Sequence, residues 1–281
     1  MRFSCSAVAA PRKSAPRRGA RVNGGLKHLL RRRRSGQDSI SDALWSKTLR
    51  TSPYARSLTE PDRERLRELA SRLLRAKSFS GAAGLVVTNA MRARIALHAC
   101  LPILNLGLNY YADWSSIVIY PGDFRVHDEY MDEHGVVHRE IMDLCGQSLS
   151  HGPMVLSWEA IRAEDRAPDD HDLVIHECAH KLDVLNGDAN GFPPLHADMD
   201  GRGWARDFQA AYDRFSTALE AGNGNTIDPY ASEDPAEFFA VASEAFFTAP
   251  DLINEKFPAV HAHLQRFYRQ DPCRLMSREP S

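Results

Sequence analysis

The sequence predicts an α+β domain, mostly helical with a small sheet, on three observations. Apolar residues recur at helical spacing in separate stretches, such as Leu66, Leu69 and Leu73, and Trp204, Phe208, Tyr212, Phe215 and Leu219. Only short apolar runs of strand type lie between them. The clearest is Ile117-Val118-Ile119-Tyr120, which stops at Pro121-Gly122. The chain has 281 residues, 43% hydrophobic and 26% charged, so it can bury a sizeable core and has an ordinary globular composition.

Taken in order, residues 1–39 are expected to form a disordered basic tail. Residues 1–34 hold eleven Arg or Lys and no Asp or Glu, and end in Arg31-Arg32-Arg33-Arg34. A solvated extension is the favoured reading; a contact to nucleic acid or anionic membrane and an organellar transit peptide compete with it. The ordered domain is expected over 40–275, with a flexible C-terminus over 276–281. Thr59-Glu60-Pro61-Asp62 is a helix start, with Thr59 as N-cap and Pro61 in the first turn. A second helix covers Ala90 to Leu101, with Pro102 and Gly107 interrupting it. The acidic stretch Asp123–Glu133 reads as a loop. Val136 to Ile141 and Met154 to Trp158 are weaker strand candidates.

From Asp172 to Leu185 the chain reads as one helix, closed by the C-cap Asn186-Gly187. Asp188–Asp200 reads as loop. The stripe from Trp204 to Leu219 is a core helix face, and Gly222-Asn223-Gly224-Asn225 breaks the chain. A helix follows from about Pro235 to Phe247. Leu252 to Tyr268 is helical with a break at Pro258. No internal repeat or second domain boundary is visible.

Charge and cysteine usage exclude some functions. Net charge is −2, but the chain beyond residue 34 carries 24 basic against 37 acidic residues. An acidic body argues against direct nucleic-acid binding, which needs a concentrated basic surface. The five cysteines, Cys5, Cys100, Cys145, Cys178 and Cys273, are odd in number and widely spaced. That pattern suits reduced thiols in a cytoplasmic protein. No apolar run reaches the roughly 20 residues that span a bilayer, and no secretory signal is visible.

The chemistry is carried by His176-Glu177-Cys178-Ala179-His180. On a helix, residues four apart share a face, so both imidazoles can point at one metal ion. Glu177 lies about 100° round from His176, within reach of a water on that metal, which is the metalloprotease arrangement. Leu173-Val174-Ile175 before the motif and Cys178-Ala179 inside it make a helix apolar on nearly all sides, hence buried. Buried histidines and a buried glutamate need partners, and a metal supplies one. The bland alternative is a pair of core histidines satisfied by backbone carbonyls.

Catalytic zinc takes three protein ligands and one water. The metzincin route to the third would need Gly at 183 and His or Asp at 186, where this chain has Asp183 and Asn186. A glutamate on a later helix is the other solution. Glu237 and Glu244 both lie on the Pro235–Phe247 helix on one face, and spacing alone does not choose between them. Glu237 also has a plain capping reading in Asp234-Pro235-Ala236-Glu237. His196 and Asp183 are weaker ligand candidates, and Asp183 could instead orient a ligand imidazole.

A resemblance decides between them. His176-Glu177-Cys178-Ala179-His180-Lys181-Leu182-Asp183 with Asn186-Gly187-Asp188 resembles the peptidase family of Mlc titration factor A. So does Ile227-Asp228-Pro229-Tyr230-Ala231, running on to Asp234-Pro235-Ala236-Glu237-Phe238-Phe239-Ala240-Val241 and Ser243-Glu244. The likeness extends from about residue 58 to 272 and leaves out the basic tail. It implies a zincin-like (gluzincin) metallopeptidase domain whose catalytic core resembles anthrax lethal factor. It also implies aminopeptidase-type activity on small peptides and one Zn2+ per chain. The implied metal ligands are His176, His180 and Glu237, with Glu177 as general base and Tyr230 as active-site tyrosine. It further implies a cytoplasmic protein that binds the glucose repressor Mlc. The rival expectation is a non-catalytic regulator that sequesters a transcriptional repressor and holds a structural zinc. Met154 to Trp158 is the expected strand for main-chain pairing with a peptide substrate.

Overall fold

The computed structural model describes residues 40–277 apart from 123, 132–136, 145, 149–151, 165–170 and 224–226, and describes the strands between 124 and 148 by their backbone. The tail expected over 1–39 and residues 278–281 lie outside the described residues. Helices dominate, and a four-stranded sheet lies among them. The mostly helical α+β class with a small sheet expected from the sequence is the one found.

The first three helices are α1 (Asp42–Leu49), α2 (Pro53–Ser57) and α3 (Glu60–Ala76), each started by a side-chain cap from Ser41, Ser52 and Thr59 respectively. In α3, Leu66, Leu69, Ala70 and Leu73 are buried, as the leucine spacing predicts. Strand β1 (Ser78–Gly81) runs parallel to β2 (Ser116–Tyr120), with α4 (Asn89–Cys100) in the connection. Ile117 and Ile119 of β2 face the core while Val118 does not, the alternation of a half-buried strand.

Strands β3 (Phe124–Met131) and β4 (Val137–Leu144) form a separate antiparallel hairpin, pairing Phe124 with Leu144 through Met131 with Val137. The loop expected over Asp123–Glu133 is therefore a strand for most of its length. Its acidic residues, a type depleted in strands, hid the pattern in the sequence. Strand β6 (Met154–Ser157) pairs with β2 on one side and with β5 (Gly146–Ser148), antiparallel, on the other. The substrate strand expected at Met154 to Trp158 is thus interior, with both backbone edges taken. The terminal strand on that side is β5.

After the short α5 (Trp158–Ala163) comes the first of the two helices that build the site. Helix α6 (Leu173–Asp183) is N-capped by Asp172 and runs through a 3-10 turn to Gly187, whose φ of 110° is the left-handed C-cap position that favours glycine. Helix α7 (Gly201–Glu220) lays Trp204, Phe208 and Phe215 into the core. Helix α8 (Pro235–Thr248) is buried on almost every side by Phe238, Phe239, Val241, Phe246, Phe247 and its alanines, as an all-round apolar helix must be. Trp204 stacks on Phe208 at 4.3 Å and meets Phe239 at 6.0 Å, which fixes α7 against α8. Pro258 divides the C-terminal segment into α9 (Pro250–Lys256) and α10 (Pro258–Tyr268), and α11 (Pro272–Met276) follows.

Candidate metal centre

Helix α8 runs back along α6, so Glu237 meets His180 while Glu244 meets His176. The Nε2 atoms of His176 and His180 are 3.2 Å apart, and each is 3.2 Å from Glu237 Oε2. A tetrahedral zinc with bonds of about 2.0–2.1 Å sets its ligand atoms about 3.3–3.4 Å from one another. The triangle therefore fits one face of such a shell. Among the described residues it is the one group of three His, Cys, Asp or Glu that could hold a metal ion.

The electrostatics agree with that fit. Burial opposes ionisation of Glu237, but the adjacent imidazoles of His176 and His180 bring its carboxyl down to about 2, so it is an anion at neutral pH. Asp234 caps α8 by accepting from the N–H groups of Ala236 and Glu237 at 2.7 and 2.9 Å. The Glu237 carboxylate Oε2 faces the imidazoles, so the plain capping reading accounts for Asp234 and not for this oxygen.

Glu177 is 3% exposed, and its Oε2 is buried without a hydrogen-bond partner. An orphaned carboxylate oxygen beside two imidazoles costs energy unless a water or an ion answers it. Burial raises its pKa. Tyr230 sits in the 3-10 turn Pro229–Ser232, 45% exposed, with its ring 6.2 Å from that of His176. It is not the core tyrosine that its neighbour Pro229 would allow. Burial of the hydroxyl, with Glu237 and Glu177 nearby, pushes its pKa up to about 12.

Two expected contributors lie elsewhere. His196 stacks on Phe267 and its Nε2 meets the Phe267 carbonyl, so it is a packing residue. Asp183 does not orient an imidazole: its Oδ2 accepts from the N–H groups of Asn190 and Gly191 at 2.9 and 2.8 Å. The side chain that meets the Nδ1 of His176 is Glu244, at 3.3 Å. Sequence reasoning weighed Glu244 only as a ligand. His98, which pairs with Asp172 at the head of α6, carried no signal in the sequence.

Lys181, 1% exposed, donates to the Gly152 carbonyl at 3.0 Å, which ties α6 to the chain entering β6. Cys100, Cys178 and Cys273 are unpaired. No helix among the described residues is long and apolar enough to cross a membrane.

Residues 26–269 match the family described as glucose-regulated metallo-peptidase M90. The match begins well before the expected residue 58 and takes in Arg31–Arg34, so part of the basic run lies within the family's matched region. The chain is 41% identical over 239 residues to Mlc titration factor A of Yersinia pestis (strain Pestoides F), which covers 84% of this chain and 87% of that protein. The same figures hold for Mlc titration factor A of Yersinia pseudotuberculosis serotype O:3 (strain YPIII) and of Yersinia pestis bv. Antiqua (strain Nepal516).

Proposed function

The chain belongs to the glucose-regulated metallo-peptidase M90 family, and from that premise we propose that it is a cytoplasmic, zinc-dependent peptidase of the aminopeptidase type. His176, His180 and Glu237 would hold one zinc ion. The observation that carries this reading is the triangle of 3.2 Å separations among their ligand atoms.

When bound, zinc supplies Lewis-acid polarisation of a carbonyl and acidification of a water to a pKa of about 7. Glu177 takes the proton from the attacking water and hands it to the leaving amine. Burial raises its pKa, the direction that favours proton uptake by a base. Tyr230 stays protonated at neutral pH, so its hydroxyl can donate to the oxygen where negative charge develops. Strand β5, terminal in its sheet among the described residues, offers a backbone edge along which an extended peptide can lie.

Metal analysis of the wild type and Glu237→Ala, coupled to hydrolysis of fluorogenic amino-acid amides and short peptides, tests this reading. One zinc per chain and turnover are expected in the wild type, and loss of both in the variant. Full metal content in Glu237→Ala would refute the ligand set.

The name of the relatives supports a second role. We propose that the chain also binds an Mlc-like sugar-responsive repressor. A pull-down with Glu177→Gln separates the two roles: repressor binding that survives while hydrolysis disappears means that both exist. Repressor binding by a wild-type protein without peptidase activity favours the regulator alone.

A further inference from the structure

Glu244 of α8 is buried, 5% exposed, and both its carboxylate oxygens are occupied. Oε2 lies 3.3 Å from the Nδ1 of His176. Oε1 accepts the backbone N–H of Asp172 and lies 3.4 Å from the Nδ1 of His171. Asp172 in turn caps α6 through Ile175 at 3.0 Å and pairs with His98, whose other ring nitrogen meets the Thr51 hydroxyl at 2.9 Å. The first turn of α6 is thus held from α8 on one side and from α4 on the other.

We infer that Glu244 is the positioning residue that fixes the orientation and tautomer of His176, and so sets the metal affinity of the site; this rests on the proposed ligand set. An imidazole carries its two nitrogens on different edges of the ring. With Nδ1–H donating to Glu244, the Nε2 lone pair faces His180 and Glu237, the form a metal needs. Glu244 is not itself a ligand, because its oxygens are spent on these contacts.

The chemistry requires a carboxylate. Both the Asp172 N–H and the His176 Nδ1–H are donors, so both partner atoms must accept. A glutamine satisfies one and turns its own NH2 towards the other. The same residue therefore couples the helix start to the ligand, which a neutral isostere cannot do.

Zinc affinity by chelator competition, visible absorption of the Co2+-loaded protein and the melting temperature of the metal-free chain test the assignment in wild type, Glu244→Gln, Glu244→Asp and Glu237→Ala. Glu244→Gln is expected to fold and to bind zinc about 10–100-fold more weakly, with an altered Co2+ spectrum. Glu244→Asp keeps two acceptors on a shorter arm and should lose less. Wild-type affinity and spectrum in Glu244→Gln overturn the assignment. If Glu244→Gln does not fold, Glu244→Asp decides: a several-fold weakening supports it and unchanged affinity overturns it. A wild type without zinc, or a Glu237→Ala protein with full affinity, instead overturns the ligand set beneath it.

Discussion

The two ends of the α6–α8 pair are built from similar parts and hold charge differently. At the head of α6, the buried Glu244 carboxylate gives both oxygens to donors. At its tail, the buried Asp183 carboxylate accepts from Asn190 and Gly191 with one oxygen, and Oδ1 has no hydrogen-bond partner. Burial pushes both carboxyl pKa values up. At Glu244, hydrogen bonds from His171 and His176 overrule it and hold the group below its ordinary range. At Asp183 the backbone N–H groups do not, and it rises to about 6. The head of the pair is organised to keep charge beside an imidazole, and the tail to close a loop. Substitutions around the head should therefore change chemistry, and those around the tail should change stability.

The largest effect that could break this contrast is expected at Glu177. On the proposed mechanism Glu177→Gln lowers turnover by up to about 10⁴-fold, the upper end for a general acid–base group. Zinc content should stay at the wild-type value and the melting temperature should not fall, because the isosteric change opens no cavity and the oxygen it replaces has no hydrogen-bond partner. Peptide hydrolysis beside metal analysis checks it. Turnover at the wild-type rate would refute the assigned base, and loss of the metal would make the head a structural latch like the tail.

Tyr230→Phe comes next. Removing one donor to the developing oxyanion costs about 10²–10³ in rate. Tyr230 is half-exposed and the change opens no core cavity, so zinc affinity and melting temperature should not move. A fall in kcat with KM nearly constant is the expected signature in steady-state kinetics.

Gly191→Ala probes the tail. Gly191 has φ of 73°, and a Cβ there would lie 2.4 Å from the Pro235 carbonyl oxygen. A left-handed non-glycine residue costs about 1–2 kcal/mol, and forcing a methyl into a packed contact about 1–3 kcal/mol more. The melting temperature should fall by roughly 5–15 °C, while kcat per folded molecule stays close to wild type. A normal melting temperature with lost activity would reverse the contrast, and would mean that the Pro235 end of α8 aims Glu237.

The difference between head and tail also explains what was legible in the sequence. His176, Glu177 and His180 were readable because one helix places them by its own period. The helices α3, α4, α6, α7 and α8 announced themselves through caps and apolar stripes. Spacing alone could not separate Glu237 from Glu244, because both lie on one face of α8 and only the crossing with α6 decides which meets His180. The partners of Asp183 were hidden for the same reason, since the Asn190–Gly191 loop has no periodicity. Strand β5 is three residues long and β1 four, too short for alternation to register. Burial of β6 between two neighbours depends on register between distant segments, which no local pattern encodes.

The smallest effect, and the sharpest test of the difference in charge, is the pH dependence of Asp183. Its carboxyl rises from 3.8 to about 6 on folding, chiefly through burial. A folded pKa above the unfolded one means that the native state holds the proton more tightly. The stabilisation is then complete below about pH 4 and lost as pH rises through 6. Asp183→Asn keeps an acceptor for the Asn190 and Gly191 N–H groups and carries no charge. Denaturant titrations of the metal-free wild type and variant between pH 4 and 8 should show the difference moving in favour of asparagine by roughly 1–3 kcal/mol, then levelling above about pH 7. A difference that moves the other way would mean that the tail, like Glu244, is held charged by its partners, and the two ends of the helix pair would then be electrostatically alike.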